Sequence, residues 1–204
     1  VVYPSINSVS KFPVKKKLIV FSGKLNRSKG FPVFAQAAIK ILDKYKSWHV
    51  VVLGDEPREK YSYKHKRLKY LGWVPYENVL NYYSKSSITV APSEWEEPFG
   101  RSPMEAGSRG NAVIISNRGG LPETINSPVL LKEVKSTEVF NEIENLINNK
   151  KLIKRLQVDS FKNPLHLVSN NTLIIDKDRR NILAPSKKIS INKNKKLKIL
   201  HIYN

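Results

Sequence analysis

Short apolar runs alternate with helical patterns along residues 17–130 of the chain. Most of the apolar runs do not alternate with polar residues and are bounded by Gly, Pro or Ser, which is typical of strands buried on both faces. The runs predict six strands, at residues 18–23, 48–54, 68–74, 88–92, 111–116 and 128–131.

The clearest helical pattern follows the first strand. There, Phe34, Ala38, Ile41, Leu42 and Tyr45 recur at the spacing of one helix face. Further helices are predicted at residues 57–65, 77–85, 98–109, 136–149 and 171–183. Strands that alternate with helices through right-handed crossovers predict an α/β fold, a Rossmann-like doubly wound parallel sheet with helices on both faces.

The same pattern predicts four segments. Residues 1–16 form an entry segment, and residues 17–150 form the Rossmann-like domain. Residues 151–183 form a C-terminal helical extension, in which Asp176-Lys177-Asp178 belongs to a charged helix rather than to a metal–nucleotide site. Residues 184–204 are a basic linker followed by LKILHIYN, which we interpret as the first strand of a following module.

Composition narrows the class of protein. The chain has 204 residues, 40 % of them hydrophobic, which is typical of a globular protein. The absence of Cys excludes disulfides and thiolate metal sites, and no apolar run is long enough to span a membrane. The net charge of +19 has three interpretations: a solubilising excess, a patch facing an anionic lipid or substrate, or nucleic-acid binding. Charge alone does not decide among them.

Parallel sheets bind ligands at the carboxyl ends of their strands, so the loops there are the candidate site. The first such loop places Gly23, Lys24, Lys29 and Gly30 between a strand and a helix. Backbone N–H groups at the helix start, together with two ammonium groups, suit a diphosphate. A solvated Lys-rich turn is the alternative.

The fourth loop carries two carboxylates. Glu97-Pro98-Phe99-Gly100 opens a predicted helix with Pro98 at its first position and Glu97 near its N-cap, and Glu105 follows two turns later. Carboxylates at one end of a sheet can each accept two hydroxyl hydrogen bonds, which the vicinal diols of a sugar and a ribose offer. In the alternative interpretation, Glu97 only caps the helix and Glu105 lies on a solvated face.

The fifth loop contains the pair Gly119-Gly120. Paired glycines let a ligand approach the backbone closely, and free N–H groups there can hold a phosphate or a hydroxyl. An ordinary tight turn is the competing interpretation.

Four segments together resemble the C-terminal, nucleotide-sugar-binding domain of GT-B glycosyltransferases of the retaining family-4 type: SGKLNRSKG, GWVP, EPFGRSPMEAGSRG and AVIISNRGGLPE. The resemblance covers roughly residues 1 to 160. It implies that Lys24, which stands where the family has Arg, and Lys29 contact the donor diphosphate. It also implies that Glu97 contacts the donor sugar and Glu105 the ribose. Arg101, Gly107 and Arg109 stand where the family more often has apolar or small residues.

The resemblance assigns further residues and an architecture. Backbone around Phe99 and Gly100 is expected to hold sugar and phosphate, and the loops at Gly54 and Val74 to border the base. A GT-B enzyme has two Rossmann-like domains with the active site between them. The acceptor-binding domain is therefore expected outside this sequence, and the fragment alone is expected to be inactive.

The sequence therefore predicts the donor domain of a retaining hexosyltransferase that uses a nucleoside-diphosphate sugar. No metal or other cofactor is expected, because lysines and a helix dipole can offset the charge of the leaving diphosphate. The expected acceptor is a saccharide or a lipid-linked saccharide of bacterial cell-surface polysaccharide biosynthesis. The expected location is cytoplasmic, with peripheral association at an anionic membrane surface. The alternatives are a GT-B-fold nucleotide-sugar epimerase and a basic nucleic-acid-binding α/β domain. The first requires carboxylates and histidines around the cleft, and the second requires aromatic residues among the Lys clusters.

Overall fold

The computed structural model describes residues 4–7, 9–165 and 168–183. Six parallel strands form one sheet in the order β3-β2-β1-β4-β5-β6. Their bounds are β1 Lys16–Ser22, β2 His49–Leu53, β3 Leu68–Tyr70, β4 Ser86–Ala91, β5 Ala112–Ser116 and β6 Val129–Leu131. The predicted doubly wound parallel sheet is confirmed.

The described part of the chain contains six helices. They are α1 Phe31–Lys44, α2 Tyr76–Lys85, α3 Arg101–Ser108, α4 Ser136–Asn148, α5 Lys150–Lys162 and α6 Val168–Leu183. A single 3₁₀ turn, Leu121–Thr124, follows β5. Apolar side chains of α1 and α4 cover one face of the sheet, and those of α2 and α3 cover the other. None of the helices in the described ranges is long and apolar enough to cross a membrane.

The predicted apolar face of α1 is confirmed. Phe34, Ala38, Ile41 and Leu42 are fully buried in the core, and the partly buried Tyr45 donates its hydroxyl to Glu144 of α4 at 2.9 Å. Burial of such side chains stabilises the fold by roughly 1.5–3 kcal/mol each for the larger ones. This core fixes where α1 begins, and with it the loop that precedes the helix.

Gly30, just before α1, brings two loops into contact. Its φ of 68° is left-handed, and a Cβ there would lie 1.8 Å from the carbonyl oxygen of Pro92. Only glycine therefore allows the β1–α1 loop to lie against the β4–α3 loop. The first and fourth loops named in the sequence analysis are thus held together at the carboxyl end of the sheet.

The helix predicted at residues 57–65 is wrong, because this segment forms turns and irregular backbone. Tyr61 and Tyr63, two positions apart, stack on each other with ring centroids 6.0 Å apart, and both pack edge-on against Phe31. The Glu59 carboxylate accepts hydrogen bonds from the Arg27 N–H at 3.0 Å and the Tyr61 hydroxyl at 2.5 Å. Tertiary contacts to the start of α1 replace the local helical bonds.

The segment after residue 150 contains two helices. On α5, Leu156 and Ser160 are buried, and Gln157 donates to the Ser87 carbonyl at the start of β4 at 3.0 Å. The sequence Asp176-Lys177-Asp178 lies within α6, as the charged-helix interpretation predicted. The predicted basic linker and final strand at 184–204 lie outside the described residues, and the domain boundaries stay predictions.

Candidate active site

A cavity of about 320 Å³ lies where the strand order reverses, between the carboxyl ends of β1 and β4. Crevices at such reversal points are the usual ligand sites of open α/β sheets. Five of the residues predicted to bind the donor line it: Gly23, Lys29, Glu97, Phe99 and Gly100. The first and fourth loops therefore form one candidate site.

A partly buried ion pair lies in this cavity. The Lys29 ammonium donates to Glu97 Oε1 at 2.5 Å, and the Ser93 hydroxyl donates to the same oxygen at 2.8 Å. Glu97 is only 7 % exposed, so the carboxylate is held in place by a cation and a hydroxyl rather than by water. Burying a carboxylate requires such partners. The fold thus brings Lys29 and Glu97 together. The resemblance implies that both residues contact one donor molecule.

Glu97 does not cap a helix. Helix α3 begins at Arg101, its N-cap is Gly100, and no side chain caps its first turn. The predictions that Pro98 is the first helical residue and that Glu97 lies near the N-cap are wrong. Gly100 has a φ of 86°, which directs the chain away from the helical path before α3 starts.

The glycine pair of the fifth loop explains this geometry. The Gly120 N–H donates to the Glu97 carbonyl at 2.7 Å, and a Cβ on Gly119 would lie 2.2 Å from that same carbonyl oxygen. The Gly119 N–H donates to the Glu96 carboxylate at 2.6 Å. Both glycine amides are therefore engaged within the protein, and the pair shapes the loop that carries Glu97.

Glu105 is buried in the second turn of α3, so the alternative of a solvated face is wrong. The side chain pairs with Arg101 Nη2 at 3.2 Å, and Tyr76, the first residue of α2, lies near it and favours its charged form. Burial raises the pKa of the Glu105 carboxyl above its usual range, against the opposing effects of Arg101 and Tyr76. The site therefore contains two buried carboxylates, each with its own cation.

Six of the predicted residues do not line the cavity: Glu105, Gly119 and Gly120, whose contacts are given above, and Lys24, Gly54 and Val74. Lys24 is exposed. A hydrogen bond from Arg58 lowers the pKa of Glu56 to about 2, and the positive charge of Lys24 adds to this shift. Gly54 packs the β2 loop against β1, since a Cβ there would lie 2.0 Å from the Gly23 carbonyl oxygen. Val74 lines a shallow depression beside α2.

Sequence reasoning missed three polar side chains of this region. Ser93 holds Glu97, and its own carbonyl accepts the Ser116 hydroxyl at 2.7 Å. Arg101 pairs with Glu105, and Tyr76 lies near that carboxylate. The spacing of Arg101 and Glu105, four residues apart on a helix, was the available signal for one of these contacts.

A second cavity of about 740 Å³ lies beyond β2, near the start of α1. Its walls include the aromatic rings of Phe31, Tyr61, Tyr63 and Tyr70 and the carboxylates of Asp55 and Glu56. In the described ranges, no three acidic or histidine side chains are grouped so that they could hold a metal ion.

Comparison with known proteins decides the family. The model of the family "Glycosyl transferases group 1" matches residues 3–161. The chain belongs to this family. Spore coat protein SA of Bacillus subtilis is a similar curated protein, 29 % identical over 143 residues that cover 64 % of this chain. The chain spans about a third of the length of that protein, since the match covers 36 % of it.

Solved structures share the fold of this group 1 domain. The Anabaena protein HepE, in complex with UDP and glucose, superposes with a TM-score of 0.68 at 18 % identity, over 80 % of this chain and 48 % of HepE. The C-terminal domain of the group 1 protein LpcC from Francisella tularensis superposes with a TM-score of 0.65 at 23 % identity. That match covers 76 % of this chain and 92 % of the LpcC domain.

Proposed function

We propose that this glycosyltransferase chain is the C-terminal, donor-binding domain of a retaining GT-B enzyme of the family-4 type, which transfers a hexosyl group from a nucleoside-diphosphate sugar. One observation carries the proposal: the paired Lys29 and Glu97 lie beside the start of α3 in a cavity between the carboxyl ends of β1 and β4. This arrangement offers a cation and helix N–H groups to phosphate and a carboxylate to sugar hydroxyls within one cavity.

The residues have separate roles in this proposal. The Lys29 ammonium and the positive end of the α3 dipole stabilise the negative charge that develops on the leaving diphosphate. Glu97, oriented by Ser93, accepts hydrogen bonds from the transferred sugar, and Glu105 accepts them from the ribose. Lys24, at the outer edge of the β1–α1 loop, supplies further positive charge on the diphosphate side. No metal is needed where these cations supply the charge.

Two relatives support the architecture and the donor. The LpcC domain, which this chain nearly spans, is a C-terminal domain of a group 1 protein. HepE was crystallised with UDP and glucose, which favours a nucleotide-activated hexose as the donor. The acceptor, a saccharide or a lipid-linked saccharide, would bind a second domain across the cleft.

Calorimetry with UDP, GDP and ADP tests the proposal. We expect the chain to bind at least one of them, and Lys29→Gln to weaken that binding about tenfold or more, which corresponds to roughly 1.4 kcal/mol. The control is Lys40→Gln, which removes one exposed positive charge from α1 and should leave the affinity unchanged. A folded chain that binds none of the three nucleotides would contradict the proposal.

We also propose that the parent enzyme associates with anionic membrane, at the cytoplasmic face, through its basic surface. The net charge of +19 supports this, because each basic residue near an anionic bilayer contributes about 1 kcal/mol. Vesicles of phosphatidylglycerol should bind the protein at low salt more strongly than vesicles of phosphatidylcholine. Equal binding to both would count against the association.

A further inference from the structure

Arg101 is the ion-pair partner of Glu105, and its side chain also lines the same cavity as Lys29 and Gly23. It is the first residue of α3, where the helix dipole already favours a negatively charged ligand. Cation and dipole therefore act on the same part of the cavity.

The contacts of Arg101 leave its charged end accessible. Its guanidinium pairs with Glu105 at 3.2 Å and lies 5.6 Å from the centre of the Tyr76 ring. The Arg101 side chain is 59 % exposed, whereas that of Glu105 is 7 % exposed. A guanidinium carries five N–H donors, and the ion pair with Glu105 involves Nη2. Arg101 can thus turn toward a ligand while Glu105 stays in place.

Two pairs of opposite charges lie at the cavity: Lys29, Glu97 and Arg101 line it, and Glu105 is buried beside Arg101. Lys29 pairs with Glu97, and Arg101 pairs with Glu105. In the free protein, N–H groups of Lys29 and Arg101 donate to the two carboxylates. Hydroxyl groups of a ligand can replace these N–H donors. The cations then become available to the phosphates that connect a sugar to a ribose.

We infer that Arg101 binds a phosphate of the donor nucleotide, exchanging its contact with Glu105 for that phosphate when the ribose hydroxyls bind Glu105. This inference rests on the proposed function and adds to it a phosphate-binding residue. Arginine suits the task because its planar fork of N–H groups matches the oxygens of a phosphate.

The test compares ligands that differ only in their phosphates, in the uridine, guanosine and adenosine series. Arg101→Gln should weaken binding of the nucleoside diphosphate about tenfold and binding of the free nucleoside less than about twofold. Arg101→Lys should retain part of the diphosphate affinity. The matched control is Arg155→Gln, which removes an exposed positive charge from α5 and should change none of the affinities.

The outcomes separate this inference from the proposed function. If the wild-type chain binds a diphosphate and Arg101→Gln binds it equally well, the inference is wrong and the donor site stands. If the substitution lowers the affinities for the nucleoside and the nucleoside diphosphate equally, Arg101 acts only by positioning Glu105, and the inference is also wrong. If the wild-type chain binds no diphosphate, the proposed function fails first. If Arg101→Gln does not fold, Arg101→Lys is tested instead. The inference then requires that Arg101→Lys lowers the affinity only for ligands that carry phosphate.

Discussion

Glu97 and Glu105 are both buried acids, but different neighbours hold them. Glu97 accepts from the flexible ammonium of Lys29 and from Ser93, whereas Glu105 pairs with Arg101 of α3 and lies near Tyr76 of α2. Removal of the charge should therefore affect nucleotide binding differently at the two positions. In our proposal Glu105 contacts the ribose, which is part of the free nucleotide, whereas Glu97 contacts the transferred sugar, which is not.

Glu105→Gln should weaken binding of the nucleoside diphosphate by roughly 1–3 kcal/mol, because a charged hydrogen bond to the ribose is lost. Calorimetry with the nucleotide that the wild-type chain binds measures this. Glu142→Gln on α4, away from the cavity, is the control for loss of an acidic charge. An unchanged affinity in Glu105→Gln, with an unchanged melting temperature, would remove Glu105 from the ribose site.

Glu97→Gln should leave the affinity for the bare diphosphate undiminished. In our proposal Glu97 contacts the transferred sugar, which the bare diphosphate lacks, and the substitution also removes the carboxylate that competes for Lys29. In the full-length enzyme it should lower turnover, since the position of the sugar is needed in the transition state. Loss of diphosphate binding in Glu97→Gln, with binding intact in Glu105→Gln, would show that the two roles are reversed.

At the scale of elements, the partly buried Lys15 connects the two helices that reach the site. Lys15 donates to the carbonyls of Tyr83 and Ser84 in the last turn of α2, at 3.0 and 3.2 Å, and to that of Arg109 after α3, at 2.5 Å. Burial, reinforced by the charges of Lys154 and Arg109, lowers the pKa of Lys15 to about 7. The carboxyl-terminal ends of α2 and α3 are thus fixed, while the first residues of both helices lie beside Glu105.

Lys15→Met should lower the free energy of unfolding by roughly 1–3 kcal/mol, because three helix-end carbonyls lose their donor. The deficit should also depend on pH. The pKa of Lys15 is about 7 in the folded state, whereas the ordinary value is 10.5. Between these pH values the unfolded chain binds more protons than the folded one. The free energy of unfolding of the wild type therefore rises with pH in this range, relative to that of the variant. Denaturant unfolding of both proteins at several pH values in this window measures the difference.

The control for this prediction is Lys16→Met, at an exposed position of β1. A deficit that stays constant from about pH 7 to pH 10, or that shrinks, would contradict the assignment of a lowered pKa to Lys15.

The elements that could be predicted from sequence are those whose pattern is local. The apolar strands and the face of α1 that carries Phe34 and Ile41 repeat at fixed spacings, and the structure confirms them. The start of α3 could not be predicted, since Gly119 and Gly120 reach Glu97 from a distant loop. The same holds for residues 57–65, where ring packing on Phe31 overrides a helical pattern.

The residues of the candidate site also differ in whether the sequence could predict them. Loop position was enough to select Lys29 and Glu97, because the carboxyl ends of parallel strands meet at one edge. Tyr76 and Ser93 could not be selected, since their contacts depend on how helices and loops pack rather than on any spacing in the sequence.

At the scale of the whole molecule, the chain should bind a nucleoside diphosphate without transferring sugar, because the matched region is about a third of a similar full-length protein (36 %) and supplies one side of the proposed cleft. Incubation with the sugar nucleotide and a saccharide acceptor, followed by product analysis, checks this. Transfer by this chain alone, at a rate that Lys29→Gln abolishes, would show that the site is complete without a second domain.

A crystal structure of the chain with its bound nucleoside diphosphate tests the central claim most directly. The account predicts phosphate oxygens within hydrogen-bond distance of the Lys29 ammonium and the start of α3, with the ribose hydroxyls on Glu105. A nucleotide bound instead in the aromatic cavity between Tyr61 and Tyr70, with the Lys29–Glu97 pair undisturbed, would contradict it.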